Sequence, residues 1–533
     1  MRSVAKRGIA ILQAVLLLTL SLCTGIARAQ ERPAQERPPA APPSQERPPA
    51  GQAAPAAAEK KIPPPEEKSS RTTRTVRIGG VDIKYTATAG TLLLKKEDGT
   101  PRASIFYIAY TRDDGGDPSR RPITFTFNGG PGSSSVWLHL GAFGPRRVSM
   151  GDVGSLAAPP YRMVDNENSI LDVTDLVFID PVTTGYSRAI PSDTAKQFHG
   201  IQEDLESVGE FIRLWTTRSE RWSSPKFLAG ESYGTTRAAG LSGLLQQRHG
   251  MFLNGIVLVS SILNFQTARF DVGNDLPFAL FLPTYTATAW YHKKLPNDLQ
   301  ASLPKALDEV RRFALTDYTL ALAEGDRLSG TQRAQIVQKL ARLTGLSPAY
   351  IEETNLRINI ARFCKELLRS ERRTVGRLDS RFQGIDLDAA GERNEYDPSN
   401  AAIQGPYSTL LNDYVRRELK FESDLPYEIL TGRVQPWNFE PYENRYVNVA
   451  ETLRSAMTQN RDLKVYVANG YYDLATPFFA TEYAFNHLQL DPALRDHISM
   501  GYYEAGHMMY IHAPSHARLR QDVTAFIRAS SPK

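Results

Sequence analysis

Five short apolar runs limit what this chain can fold into: "PITFTFNGG" from Pro122, "DLVFIDPV" from Asp175, "KFLAGES" from Lys226, "NGIVLVSS" from Asn254 and "LKVYVANG" from Leu463. Each is nearly continuous in apolar residues and ends near Gly, Asp, Asn or Ser. A strand with one wet face alternates apolar and polar residues. A strand covered by helices on both faces does not, and that is the condition of a parallel sheet. Helical patterns lie between the runs, such as "GIQEDLESVGEFIRLWTTRS" from Gly200. The expectation is an α/β fold with a central, mostly parallel sheet and ligands gathered at the carboxyl ends of its strands. Upstream, β-rich runs flank Gly79-Gly80 and Asp98-Gly99. Both are hairpin signals, so antiparallel strands open the domain.

The chain has 533 residues, more than one ordinary domain needs. Residues 1–29 have the form of a secretory signal: Arg2, Lys6 and Arg7, then an apolar stretch, then "ARA" at Ala27 to Ala29, with processing expected before Gln30. Residues 30–70 are rich in Pro, Ala, Gln and Glu, with "QERP" at Gln30, Gln35 and Gln45. Such a composition buries too little apolar surface to offset ordering entropy, so a disordered linker is expected. Residues 71–265 form the first part of the α/β domain and 436–533 the second. Residues 266–435 are expected to be a mostly helical insertion, or cap. Ser302 caps a helix with Pro304 in its first turn. Gly345 stops another, and Ser347-Pro348 restarts one. No run after the signal is long and apolar enough to cross a membrane.

Lys and Arg total 63 against 58 acidic residues, a formal charge of +5. Four of those positive charges lie in residues 1–29, which hold no acids, so without them the charge is +5 − 4 = +1. That balance gives no basic bias toward nucleic acid. Cys23 leaves with the signal and Cys364 is then alone, so no intramolecular disulfide forms. An exported protein of this size without disulfides fits a bacterial periplasm, or secretion from a bacterium. Cys364 sits in a helical pattern with Leu356, Ile360, Phe363 and Leu367 on one face, which makes it a structural thiol.

The chemistry centres on "GESYG", Gly230 to Gly234. Gly and Ser are common, so Gly-x-Ser-x-Gly alone says little. Here a strand candidate ends at the Ser and a helix candidate follows, the setting a nucleophile elbow requires. Ser232 is the candidate nucleophile. It needs a base, and the base needs an orienting acid. His507 follows the last strand candidate, and Asp473 lies three residues beyond Gly470. Asp462 precedes its strand, at the wrong end of the sheet. His512 lies too close to the final helix, His516 already has a helical setting, and His139 and His249 are structural or surface groups. In "FTFNGGPGSSS", Asn128, Gly129 and Gly130 close a strand, and the paired Gly residues let backbone N–H groups face a developing alkoxide. Tyr233, just after the nucleophile, supplies the second N–H. No Lys-Ser/Thr pair follows at the spacing of a phosphate-binding loop.

"NGGPGSSS", "FIDPVTTGYS", "GESYG", "NGYYD" and "AGHM" occur in that order. Together they resemble the serine carboxypeptidase family over roughly residues 120–265 and 460–533. The resemblance implies an α/β-hydrolase fold with a helical insertion, and release of C-terminal residues from peptides through an acyl-enzyme, without a cofactor or metal. It implies the triad Ser232, Asp473 and His507, and an oxyanion hole from the backbones of Gly130 and Tyr233. It implies that Asn128 and Glu231, with Gly129 beside them, bind the substrate's C-terminal carboxylate. A Glu can do so only by sharing a proton, so an acidic pH preference is implied.

Three positions depart from the family pattern. Ser133 stands where a Cys is usual. Tyr510 stands where "AGHM" usually continues toward a Pro. Ala142, in "AFGP", stands where the family has a second Glu that pairs with the first. The missing acid keeps two rivals open: an esterase or acyltransferase on the same scaffold, and a non-catalytic binding protein. The sequence carries no signal for oligomeric state or side-chain preference.

Overall fold

The computed structural model describes residues 66–151, 153 and 157–532. The signal and most of the linker expected from the sequence lie outside the described residues. Among these, the principal sheet contains β1 (Ser69–Ile78), β2 (Val81–Lys95), β3 (Pro101–Arg112), β4 (Ile123–Phe127), β5 (Asp175–Ile179), β6 (Lys226–Ser232), β7 (Gly255–Ser261), β8 (Lys464–Gly470) and β9 (Ile498–Tyr503). Their order across the sheet is β1-β2-β3-β5-β4-β6-β7-β8-β9. The pairings from β1 to β5 are antiparallel and those from β5 onward are parallel. This is the mixed, mostly parallel sheet of the expected α/β-hydrolase arrangement.

All five apolar runs are strands, and β4, β5 and β7 are buried along their whole length. Alternate residues feed two cores. Ile256 and Leu258 join one, with Leu241 and Leu245 of the helix Tyr233–His249; Val257 and Val259 join the other, with Leu519 and Val523 of the helix Ala513–Ser530. Both faces are therefore dry, and each buried Val, Ile or Leu contributes about 1.5–3 kcal/mol. Gly79 and Gly80 both take positive φ, 57° and 85°, in a two-residue turn between β1 and β2. β2 runs unbroken through Gly90. Its Thr91 N–H bonds to the Lys68 carbonyl.

Between β7 and β8 the described elements are mainly helices; Leu276–Tyr291, Leu303–Phe313 and Gly330–Thr344 surround a third apolar core, whereas Pro398–Asp413 packs Ile403, Tyr407, Leu410 and Leu411 into the core of Val257 and Val259. Ser302 and Ser347 cap as expected, and Gly345 ends its helix at φ 72°. Leu356 differs from expectation. Asn355 and Leu356 take φ 52° and 63° in a turn, and the helix around Cys364 starts only at Ile360, capped by Asn359. A two-stranded hairpin, Thr374–Val375 with Gln383–Gly384, carries residues 376–382 back toward the carboxyl ends of β8 and β9.

Candidate active site

β6 passes into the helix Tyr233–His249 without a linker, and Ser232 is the residue at the join. Its backbone is at φ 59°, ψ −129°, a strained setting for a residue with a Cβ. The turn is tight enough that a Cβ on Gly230 would lie 2.1 Å from the Gly234 carbonyl oxygen. Thr235 Oγ1 donates to the Ser232 carbonyl at 2.7 Å. The elbow thus lifts the Ser232 side chain out of the strand's end, where it lines a cavity of about 230 Å³.

His507 lines the same cavity, in the loop after β9. Its Nδ1 bonds to Asp473 Oδ2 at 2.8 Å. That bond assigns the proton to Nδ1 and leaves Nε2 as an acceptor. Asp473 is wholly buried in the loop after β8. Its Oδ1 accepts from the N–H groups of Ala475 and Thr476, and Oδ2 from Thr476 Oγ1 at 2.7 Å. Burial lowers the basicity of His507, but the charge and hydrogen bond of Asp473, with the charge of Glu231, more than restore it, so the imidazole stands above its ordinary value. Ser232 Oγ makes no hydrogen bond to the imidazole in this structure. Such contacts are often long until substrate is bound.

The expected oxyanion donors flank Ser232. Gly130, at φ 104°, lies in the loop after β4 and lines the cavity. Tyr233 is the first residue of its helix, so its N–H has no intrahelical acceptor. Gly129 supports them by close approach: a Cβ there would lie 2.4 Å from the Tyr233 nitrogen. Any other residue would push the loop off the elbow.

Beside this centre lies a buried carboxyl. Glu231 is 3% exposed. Its Oε1 accepts from Asn128 Nδ2 at 2.9 Å and its Oε2 from Tyr510 Oη at 2.6 Å. The Leu138 N–H donates to Asn128 Oδ1 at 3.0 Å, which fixes the amide with its NH₂ toward Glu231. Arg237, buried against Asp204, holds the Asn128 carbonyl at 2.6 Å. Burial raises Glu231 to about 7 against the pull of His507, Tyr510 and Asn128. The residue at 142 is a buried Ala in the single π-helical turn Leu138–Phe143 and adds no second acid. Ser133 accepts from Trp137 Nε1 and donates to the Ile429 carbonyl, joining the loop after β4 to the helical region.

The structure brings Asn128, Gly129, Gly130, Glu231, Ser232 and His507 around one cavity, with Tyr233 and Asp473 directly behind it. A second cavity, of about 500 Å³, meets the first at Ser232, and Arg377 lines both. Sequence reasoning missed Arg377 and its neighbours. The Leu378 carbonyl accepts the His507 N–H at 2.7 Å, and Asp379 Oδ2 accepts the Gly506 N–H at 3.1 Å. Arg381 pairs with Asp379 and donates to the Glu504 carbonyl. Across the same segment, Leu474 donates to the Arg377 carbonyl and Ser380 to the Tyr472 carbonyl. One hairpin tip therefore ties the loop of the acid to the loop of the base. Ser260, at φ 53° where β7 bulges, adds a hydrogen bond to the His507 carbonyl. The sequence signal available for Ser260 was a second Ser at the end of β7; none marked Arg377–Arg381.

Cys364 is buried, and burial pushes its thiol up, away from reactivity. His512 and His516 lie at and in the last helix, and His139 is buried against Tyr110. Among the described residues no cluster of three or more His, Cys, Asp or Glu side chains is placed to hold a metal ion.

Comparison with known proteins adds an independent line. The sequence model of the serine carboxypeptidase family matches residues 87–497, a span that includes Ser232 and Asp473 and stops short of His507. The mouse lysosomal protective protein is 26% identical over 383 residues, covering 69% of this chain and 71% of that protein. The pheromone-processing carboxypeptidase KEX1 of Saccharomyces cerevisiae is 33% identical over 156 residues, 27% of this chain and 20% of that protein. An Arabidopsis serine carboxypeptidase-like protein matches over 36% of its own length. A crystal structure of a yeast KEX1 form, described as a prohormone-processing carboxypeptidase, superposes with a TM-score of 0.53 at 16% identity. It covers 83% of this chain and 91% of that one, a likeness of fold.

Proposed function

This chain belongs to the serine carboxypeptidase family, and from that premise we propose that it removes C-terminal residues from peptides through an acyl-enzyme on Ser232. His507 Nε2 takes the Ser232 proton as Oγ attacks the scissile carbonyl. The N–H groups of Gly130 and Tyr233 stabilise the alkoxide that forms. The C–N bond then breaks, and the imidazolium returns its proton to the leaving amine. Water, deprotonated by the same His507, releases the acyl group and regenerates Ser232. Asp473 holds the tautomer and stabilises the imidazolium.

The observation that carries the exopeptidase reading is the Asn128–Glu231 pair in the cavity that holds Ser232 and His507. A substrate's terminal carboxylate there meets a free N–H of Asn128 and, when Glu231 is protonated, a carboxylic acid donor. An ionised Glu231 repels it, with both groups partly desolvated.

Two titrations then oppose each other. Glu231 takes up its proton as pH falls through about 7. His507 is a base only above its raised value. The pair titrates as a coupled system. Cleavage of free-acid peptides should pass through a maximum, whereas amidated peptides, which need only the neutral imidazole, should be cleaved faster as pH rises to a plateau. A hydrogen bond to a charged group is worth about 1.5–3 kcal/mol, so at acid pH the free acid should be preferred by about tenfold to a hundredfold. N-blocked dipeptides with free and amidated ends, compared from mildly acidic to neutral pH, test this. Equal cleavage at every pH removes the carboxypeptidase reading. The esterase or acyltransferase reading, which the missing acid at Ala142 favours, then leads.

The same reading includes export. The basic start, the apolar stretch and "ARA" support cleavage before Gln30 and a periplasmic or secreted enzyme, with the linker that precedes β1 as a tether and 266–435 as a cap over the site. Amino-terminal sequencing of protein from its native compartment checks the start; an intact Met1 contradicts it.

A further inference from the structure

Glu231 has two hydrogen-bond donors, and one of them has no counterpart in the sequence patterns above. Tyr510 lies in the short turn Met509–Ile511, three residues past His507. Its ring is buried and packs on Gly141, where a Cβ would lie 2.4 Å from the ring carbon Cε2. The turn that carries Gly141 also carries Ala142, whose carbonyl is taken by Asn166 Nδ2 at 3.0 Å and His516 Nε2 at 2.9 Å. That turn is pinned, presents no carboxyl, and is small at 141 where the phenol enters.

We propose that Tyr510 is the positioning residue of the carboxylate site, a permanent donor that stands in for a second acid, fixes the Glu231 carboxyl and sets the pH at which it takes up its proton. The proposal rests on the reading of Glu231 as the group that meets the substrate's carboxylate. A second carboxyl would itself ionise and would share one proton with Glu231. A phenol does not ionise here: burial, with Glu231 beside it, holds Tyr510 well above the ordinary tyrosine value. Its O–H donates to Glu231 Oε2 at every working pH, while Asn128 occupies Oε1. The site therefore has one acid titration instead of two.

Donation to the ionised form favours that form, so Tyr510 lowers the pH at which Glu231 protonates. The other groups facing Glu231 are His507 and Asp473 from the loops after β9 and β8, and Tyr407 from the helix Pro398–Asp413, with Arg377 on the cavity wall. Tyr510→Phe leaves all of these in place and keeps the ring against Gly141.

The test measures, for wild type and Tyr510→Phe, the pH at which the preference for a free-acid over an amidated dipeptide is half lost. The expected result is a rise in that midpoint of about one pH unit, a tenfold change in the proton equilibrium. KM for the free-acid peptide should rise several-fold below the midpoint, with kcat unchanged. The pH profile for the amidated peptide, which reports His507, should move by much less and in the opposite direction, because a Glu231 that stays neutral to higher pH lends the imidazolium less support. Labelling of Ser232 by a fluorophosphonate reports an intact centre. Glu231→Gln should give a preference without pH dependence, and adding Tyr510→Phe to it should shift no midpoint. A Tyr510→Phe midpoint equal to that of wild type overturns the proposal and leaves the carboxylate reading standing. So does a shift of equal size in the amide profile. The absence of any free-acid preference in wild type overturns both.

Discussion

Ser232 carries a Cβ at φ 59°, ψ −129°, where backbone strain costs about 1–3 kcal/mol. The strain serves the site, because it turns Oγ out of the strand's end and exposes the Tyr233 N–H. Glycine removes the strain but loses about 0.5–1 kcal/mol to its freer unfolded chain. Ser232→Gly should therefore be more stable than Ser232→Ala by about 1 kcal/mol, and both should be inactive. Thermal melting of the two variants checks this; a less stable Gly variant contradicts the strain. The three candidate triad residues were legible because each follows a recognisable strand: Ser232 ends β6, Asp473 follows β8 and His507 follows β9. Asn128, Gly129 and Gly130 were legible for the same reason. Tyr510 was visible only as a departure from a pattern. Its partner, Glu231, is 279 residues away in sequence, and no local periodicity carries a contact of that separation.

The elements divide by how locally they are determined. β4 to β8 were legible because burial on both faces leaves a continuous apolar run bounded by turn residues. At Gly90, inside β2, the carbonyl oxygen of Lys68 lies 3.0 Å from where a Cβ would stand, so the Gly serves close packing within one strand. Leu356 was assigned to a helix by spacing alone, and tertiary context placed it in a left-handed turn. The hairpin tip at residues 376–382 had no signal at all, though it joins the loops of Asp473 and His507. Its Asp379–Arg381 pair is buried, with both side chains under 5% exposed. Asp379→Asn leaves the Arg381 charge unpaired and weakens the hold on Gly506, so it should destabilise the protein by about 3–5 kcal/mol. Fluorophosphonate labelling of Ser232 should slow as well, measured well below the melting temperature. An unchanged labelling rate in a destabilised variant assigns the pair to stability alone.

At the scale of the molecule, the fold follows from the sheet order and the likeness to a solved structure, and the family from the match over residues 87–497. The helical region between β7 and β8 contributes Arg377, Leu378, Asn400, Ile403 and Leu430 to the cavity beside Ser232. Arg377 and Leu378 sit in the hairpin tip, Leu430 in a loop, and Asn400 and Ile403 in the helix Pro398–Asp413, none of which a sequence signal had marked. The central claim is that Ser232 drives removal of residues from a free C-terminus. Mass spectrometry of a defined peptide mixture, incubated at mildly acidic pH with wild type or with Ser232→Ala, tests it most directly. The account predicts ladders shortened one residue at a time from the C-terminus with wild type. It predicts a loss of several orders of magnitude with Ser232→Ala; about 10⁶ is the scale for a nucleophile that acts as part of a triad. Internal cleavage by wild type, or a folded Ser232→Ala protein that keeps a tenth of the activity, would contradict it.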